Sequence, residues 1–311
     1  MSLKHIIFNK LNTENFQVQI VSANHIKKLE EEIRKLYEHS LINNKIYDFY
    51  LKEDHDFSLL NNYPEIKSLI IVASPCYQTK LIFYHKETEY SILLPSNLYM
   101  EEKSRRKART ILKRMLEFNG YKIKDAFLPE KLIAVHSGLG LYGKNNLCYI
   151  NGIGSFHSLA LFCSDFECDN DSWQEIDHLK TCGSCKACLK ACPTQAIDEK
   201  RFILHAEKCL AFFNENQGMF PEWIDPSSHT CLVGCLKCQL VCPHNRAYIN
   251  QYDNKVLFSQ EETTLLLDGT PLDKLPLQLF EKVKNYGLEK YHVSLSRNLM
   301  AVINAIEIKN K

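Results

Sequence analysis

The stretch Cys182-Gly-Ser-Cys185-Lys-Ala-Cys188-Leu-Lys-Ala-Cys192-Pro193 decides how this chain is read. It follows C-x2-C-x2-C-x3-C-P without a mismatch, a run that holds iron–sulfur clusters in bacterial proteins. Three thiolates spaced by two residues wrap one face of a cubane only where the backbone coils tightly, and the proline then turns the chain away. A second block, Cys235-Leu-Lys-Cys238-Gln-Leu-Val-Cys242-Pro243, repeats the end of the pattern, with Cys209 and Cys231 upstream as rivals for its missing member. Where two clusters are bound, the cysteine before the proline crosses to the other cluster. The spacing therefore predicts Cys182, Cys185, Cys188 and Cys242 on one [4Fe–4S] cluster. Cys192, Cys235 and Cys238, with either Cys209 or Cys231, fall to the other.

Zinc also uses C-x2-C pairs. A zinc ribbon, however, needs two pairs per metal and has no use for a third cysteine at x2 and a fourth at x3 before proline. A disulfide framework does not suit a chain of this length without a secretory signal. With 311 residues the chain buries a substantial core. Its formal net charge of +1 gives no field arguing by itself for nucleic acid or a membrane. No apolar run approaches the roughly 20 residues that span a bilayer, so no membrane partner is expected. Thirteen cysteines without export features imply a cytoplasmic location.

The other dense motif is His136-Ser-Gly138-Leu-Gly140-Leu-Tyr142-Gly143-Lys144-Asn145-Asn146. Formally it contains G-x-G-x-x-G, but no crossover helix follows, so the ordering required of a dinucleotide site fails. Three glycines in six residues still mark a backbone that turns sharply or is closely approached. Either it is a structural turn beneath the cluster segment, or it cradles a cofactor, with Lys144 as a donor.

Around these motifs the periodicity predicts a helix within Val21 to Ser40 and a buried strand over Lys67 to Pro75. One or two strands follow over Leu81 to Leu94, around a turn at His85 to Glu89. A helix runs from Glu101 to Phe118, its basic residues from Arg105 to Arg114 read as solvated surface or as an RNA or phosphate contact. Leu147 to Asp165 reads as a hairpin about Gly152 and Gly154, and Ala206 to Phe213 as a helix. Two short helices are expected after Pro271. The domains are drawn as 1–175, an α/β cofactor and substrate domain; 176–250, the double-cluster domain; and 251–311, a helical tail packing on the main domain.

Taken together, the motifs resemble the epoxyqueuosine reductase-like proteins, relatives of the corrinoid reductive dehalogenases. The matching stretches are Gly138 to Asn145, Gly154-Ser155 before an apolar strand ending at Ser164-Asp165, Cys182 to Pro193, Ala206 to Cys209, and Gly234 to Pro243. The resemblance implies an α+β (α/β) fold, with a nitroreductase-like, cobalamin-type domain beside a bacterial ferredoxin-like double-cluster domain. It favours Cys209 over Cys231. Two [4Fe–4S] clusters would pass low-potential electrons to a cobalamin that reduces a small organic or nucleoside substrate, since clusters move single electrons and a corrin supplies reactivity no side chain has.

The cofactor contacts it suggests are Gly138, Gly140, Tyr142, Gly143, Lys144 and Asn145, with Ser155 and His157 on the neighbouring strand. His136 and His157 are further candidates for an axial ligand or an acid. Asp125 lies near the family's proton donor only if one residue is deleted. The tail holds one fragment, Ser296 to Asn304, of the helical repeats with which the tRNA-processing members hold an anticodon stem, so tRNA is a less favoured partner than a smaller substrate. An external donor of flavodoxin or ferredoxin type is implied. Two other readings are an electron-transfer protein that reduces a partner corrinoid enzyme, and a binding module whose clusters are structural.

Overall fold

The structure is a computed structural model that describes residues 2–53 and 55–311. Along the chain the elements are α1 (Leu3–Thr13), β1 (Gln17–Ser22), α2 (Ile26–Glu38), α3 (Asn44–Asp48), α4 (Leu59–Asn62), β2 (Ser68–Pro75), β3 (Gln78–His85), β4 (Thr88–Pro95), α5 (Asn97–Phe118), β5 (Ile123–Asp125) and α6 (Glu130–His136). Then follow β6 (Gly140–Tyr142), β7 (Cys148–Ile150), β8 (His157–Ser164), α7 (Ala187–Ala191), α8 (Leu210–Glu215), α9 (Lys237–Leu240), β9 (Tyr252–Phe258), α10 (Gln260–Leu267), α11 (Leu277–Asn285) and α12 (His292–Asn310). They form two compact units, 1–75 with 101–184 and 76–100 with 185–311.

The first unit is built on an antiparallel sheet in the order β1-β2-β8-β5. β2 is buried almost throughout, which is why it reads as an unbroken apolar run. Ile70, Val72, Ala160 and Phe162 pack on α1 and α5 through Ile7, Leu11, Ala108, Leu112 and Leu116. Ser22 closes β1 and caps the following turn by accepting from the Asn24 amide at 3.2 Å.

The expected hairpin between β7 and β8 does not form. β7 pairs back onto β6, and β8 enters the sheet between β2 and β5. The glycine turn is there, with Gly152 and Gly154 both at positive φ. Its two arms then diverge, because β8, whose Leu-Ala-Leu-Phe-Cys run from Leu159 to Cys163 is apolar on both faces, is buried between β2 and β5 and beneath α1 and α5.

The second unit holds a sheet in the order β4-β3-β9, with β3 antiparallel to β4 and parallel to β9. Phe83 and Phe258 stack across the parallel pair with centroids 4.4 Å apart. Their core continues through Leu266, Leu279, Val283, Leu295, Leu299 and Val302 of α10, α11 and α12. The tail thus begins with a strand that the sequence did not suggest, and the second of its expected short helices, α12, is 19 residues long. A capping box starts α10: the Ser259 hydroxyl accepts from the Glu262 amide, and the Glu262 carboxylate accepts from the Ser259 amide. The expected helix at Ala206 to Phe213 is broken at Cys209 into a 3-10 turn and α8. No helix among the described residues is long and apolar enough to cross a membrane.

Candidate functional site: the cysteine segment and the glycine hairpin

Both cysteine blocks fold into one short helix followed by a Cys-Pro turn. α7 ends where the Cys192 amide donates to the Cys188 carbonyl at 3.0 Å, and Pro193 follows. α9 is entered through Leu236, held at φ +61°, and the Cys242-Pro243 turn closes with the Asn245 amide donating to the Cys242 carbonyl at 2.9 Å. The Ala196 amide also donates to the Cys192 sulfur at 3.3 Å, a contact suited to a thiolate. α7 and α9 pack on each other.

The thirteen cysteines sort by burial. Cys76, Cys148, Cys163 and Cys231 are buried, whereas the eight favoured as ligands, and Cys168, are half-buried. Cys209 caps the start of α8, and its thiol is pushed up to about 11 by burial, with Cys235 and Cys192 near enough to add like-charge repulsion. Cys231 is fully enclosed in a backbone bridge to Leu93, donates to the Cys235 carbonyl at 3.2 Å, and is pushed up by burial well beyond the usual thiol range. A thiol that donates to a carbonyl keeps its proton, whereas a metal ligand must lose it. Among the described residues no three His, Cys, Asp or Glu side chains are grouped to hold a single metal ion. A cubane takes one thiolate per iron and so does not require such convergence.

The glycine motif forms the end of α6 and the β6–β7 hairpin. Gly138, at φ +75°, closes α6. Gly140 and Gly143 are needed for packing. A Cβ on Gly140 would lie 2.4 Å from the Cys148 sulfur and 3.0 Å from the Tyr149 carbonyl oxygen; one on Gly143 would lie 2.4 Å from the Tyr149 ring. Tyr142 is buried, and Asn145, also buried, donates to the Tyr149 hydroxyl at 2.9 Å.

The outer edge of β6 carries the chain toward the first cysteine block. The Tyr142 amide donates to the Asp177 carbonyl at 3.0 Å, and the Leu179 amide donates to the Tyr142 carbonyl at 2.9 Å, three residues before Cys182. Gly140, Tyr142, Gly143 and Asn145 are packed or hydrogen-bonded within the hairpin. Gly138 is exposed, and Lys144 and Ser155 are half-buried. His157 bonds the Cys148 carbonyl through Nε2 at 3.0 Å, while its buried Nδ1 has no hydrogen-bond partner among the described residues.

His136 is wholly buried, with both ring nitrogens engaged: Nδ1 lies 2.6 Å from the Gln174 carbonyl oxygen and Nε2 lies 2.9 Å from the Glu32 carboxylate. It stacks on Trp173 at 4.4 Å, and His25 also stacks on that indole at 4.1 Å. Through its two nitrogen contacts His136 joins Glu32 to the segment around Gln174.

Asp125 lies at the end of β5, where Arg109 grips it through Nη2 at 2.7 Å and Nε at 3.0 Å. The basic helix is less solvated than its composition suggested. Arg105 is 8% exposed and reaches Glu130 at 2.5 Å, while Arg106, Lys107 and Lys113 stay on the outer face. Glu130, which sequence reasoning passed over, is pushed up to about 7 by burial, against the pull of Arg105.

A folded-state carboxyl raised above its ordinary 4.5 binds its proton more tightly than the unfolded chain does. Its contribution to stability is therefore full below about 4.5 and lost as pH rises through about 7. Glu130→Gln should gain melting temperature relative to the parent as pH rises from 5 to about 7.5 and then level off. A difference between the two melting curves that stays flat with pH would contradict this assignment.

The segment 181–245 matches a family model described as a 4Fe-4S double cluster binding domain. That match and the paired cysteine folds define a double-cluster iron–sulfur protein. The chain is 30% identical to the epoxyqueuosine reductase of Cellulophaga algicola over 188 residues, 57% of this chain and 56% of that one. It is 26% identical to that of Atelocyanobacterium thalassa over 248 residues, 78% of this chain and 79% of that one. The matched segments span about half or less of the first three curated relatives. In fold it matches the epoxyqueuosine reductase of Streptococcus thermophilus with a TM-score of 0.70, 20% identity and coverage of 100% of this chain and 83% of that one. It also matches an epoxyqueuosine reductase solved with an epoxyqueuosine-modified tRNA stem loop, with a TM-score of 0.71, 19% identity and coverage of 97% and 80%. The chain is thus similar to epoxyqueuosine reductases, shares their mixed α+β fold, and carries a segment that matches a double [4Fe–4S] binding domain.

Proposed function

We propose that this chain is an iron–sulfur reductase in which two [4Fe–4S] clusters carry low-potential electrons, one at a time, from an external flavodoxin- or ferredoxin-type donor to an organic or nucleoside substrate. The observation that carries the reading is the sorting of the cysteines. Seven half-buried thiols stand in two Cys-Pro folds and an eighth, Cys209, at the start of α8, while Cys231 is withdrawn into a carbonyl hydrogen bond. The ligand sets are Cys182, Cys185, Cys188 and Cys242 for one cluster, and Cys192, Cys209, Cys235 and Cys238 for the other. Because related enzymes are epoxyqueuosine reductases, one of them solved with a modified tRNA stem loop, that nucleoside is the first substrate to test, free and within a stem loop.

The finer expectation is a cobalamin held in a nitroreductase-like first unit. The unpartnered buried Nδ1 of His157 fits a bound polar group, and Gly138, Lys144, Ser155 and His157 are the residues that would hold the cofactor. Gly140, Tyr142, Gly143 and Asn145 are committed to the hairpin. When bound, the corrin would supply reduction of a carbon centre that side chains cannot perform. Asp125 is held by Arg109, and we assign it an anchoring role at the end of β5.

The test uses chain reconstituted anaerobically with iron and sulfide, desalted after exposure to cobalamin, and supplied with a low-potential reductant and the epoxyqueuosine stem loop. Retained corrin absorbance and loss of the epoxide are expected. Clusters that reduce and reoxidise with no corrin retained and no substrate consumed would overturn the enzyme reading in favour of an electron-transfer protein.

A further inference from the structure

The motif Ser296-Arg-Asn at the start of the tail's repeat-like fragment lies in α12, and the side chains of Arg297 and Asn298 turn toward the cysteine segment. Arg297 donates through Nη2 to the carbonyls of Phe213 at 2.7 Å and Asn216 at 3.0 Å, and through Nη1 to that of Gly218. Its guanidinium lies 4.2 Å from the centre of the Phe220 ring. Asn298, 1% exposed, accepts from Arg297 at 2.8 Å and donates to the carbonyls of Asn214 at 2.7 Å and Leu232 at 2.9 Å. Asn214, wholly buried, donates onward to the Gly234 carbonyl at 2.6 Å.

The chain of bonds has a definite reach. Asn214 lies five residues after Cys209, at the end of the helix that Cys209 caps, and Gly234 directly precedes Cys235. Two arms far apart in sequence, one bearing Cys209 and one bearing Cys235, are thus tied to each other by Asn214 and to α12 by Asn298. Thr230 and Cys231 both donate to the Cys235 carbonyl, at 3.1 and 3.2 Å, and fix the second arm from its other side. Five backbone carbonyls of the cysteine segment accept from these two α12 side chains, and buried carbonyls without donors are costly.

We propose that Arg297 and Asn298 are positioning residues for the second cluster: α12 holds the Cys209 arm against the Cys235 arm and so governs whether that cluster assembles and at what potential it is reduced. The inference rests on the double-cluster reading and on the ligand set containing Cys209. It gives the tail of this chain a role in the iron–sulfur centre itself. A guanidinium suits it, because one rigid fork serves three carbonyls that a single ammonium point cannot span together.

The experiment compares the full chain with Asn298→Ala and Arg297→Lys after anaerobic reconstitution, reading iron per chain, electron paramagnetic resonance of the reduced protein, and midpoint potentials. For Asn298→Ala, iron is expected to fall from about eight to about four per chain, leaving a spectrum that overlays that of Cys209→Ser. Arg297→Lys, which keeps the charge, is expected to retain both clusters and shift one of the two potentials. Unchanged iron and potentials in both variants would overturn the proposal, as would equal loss from both clusters in a chain whose circular dichroism remains that of the parent. Should Asn298→Ala fail to fold, the potentials of Arg297→Lys decide alone. A parent chain that never takes up about eight irons would instead sink the double-cluster reading beneath it.

Discussion

Cys209→Ser is expected to halve the iron content, from about eight to about four per chain, while Cys231→Ser leaves it at about eight. The two thiols compete on sequence grounds because both precede the second block. They differ in what surrounds them. Cys209 is half-buried at the start of α8, close to Cys192 and Cys235. Cys231 is fully enclosed and donates to the Cys235 carbonyl, a bond that a serine hydroxyl can also make. Total iron and acid-labile sulfide on reconstituted variants check this. Loss of iron in Cys231→Ser with retention in Cys209→Ser would exchange the two roles.

Gly140→Ala and Gly143→Ala should each lower stability by about 1–3 kcal/mol, as overpacked core positions do. For a folded body of this size that corresponds to a melting temperature lower by roughly 2–12 °C. Neither residue has the positive φ that would make it a conformational requirement, so the demand is steric. At Gly140 the added carbon would meet a sulfur at 2.4 Å and a backbone oxygen at 3.0 Å, and the backbone cannot step aside without parting β6 from β7. Because β6 also holds Asp177 to Leu179 just ahead of Cys182, these variants should take up iron more slowly at the first block. Thermal unfolding and the rate of cluster assembly measure the two consequences. Parent-like values for both would mean that the glycines serve something other than hairpin packing.

The parts of this molecule legible in its sequence are those fixed by local spacing. The cysteine runs are recognisable because ligand geometry dictates them residue by residue, and β2 because a strand buried on both faces is apolar throughout. Partner choice was less accessible. The glycine turn before β8 is real, yet nothing local says that β7 pairs with β6 and that β8 lies between β2 and β5.

β9 was missed because Tyr252-Asp-Asn-Lys255 lacks apolar alternation and its partner β3 is a parallel strand far upstream. Other features were present and passed over. Ser259 and Glu262 spell a capping box, and Arg105 shares the helical face of Ala108, Leu112 and Leu116, which places its guanidinium inward beside Glu130. At the site the ligand cysteines could be narrowed by spacing, whereas the retreat of Cys231 into a carbonyl bond is set by tertiary packing. The contacts of His136 and Asp125 are with Glu32 and Arg109, partners the sequence did not pair with them.

The proposed reductase carries two [4Fe–4S] clusters that deliver electrons in single steps. Stoichiometric reductive titration of the anaerobically reconstituted full chain, followed by electron paramagnetic resonance and iron analysis, tests it most directly. About eight irons per chain and about two electrons taken up in separable one-electron steps are expected. About four irons with a single step, or zinc retained in place of iron, would contradict it.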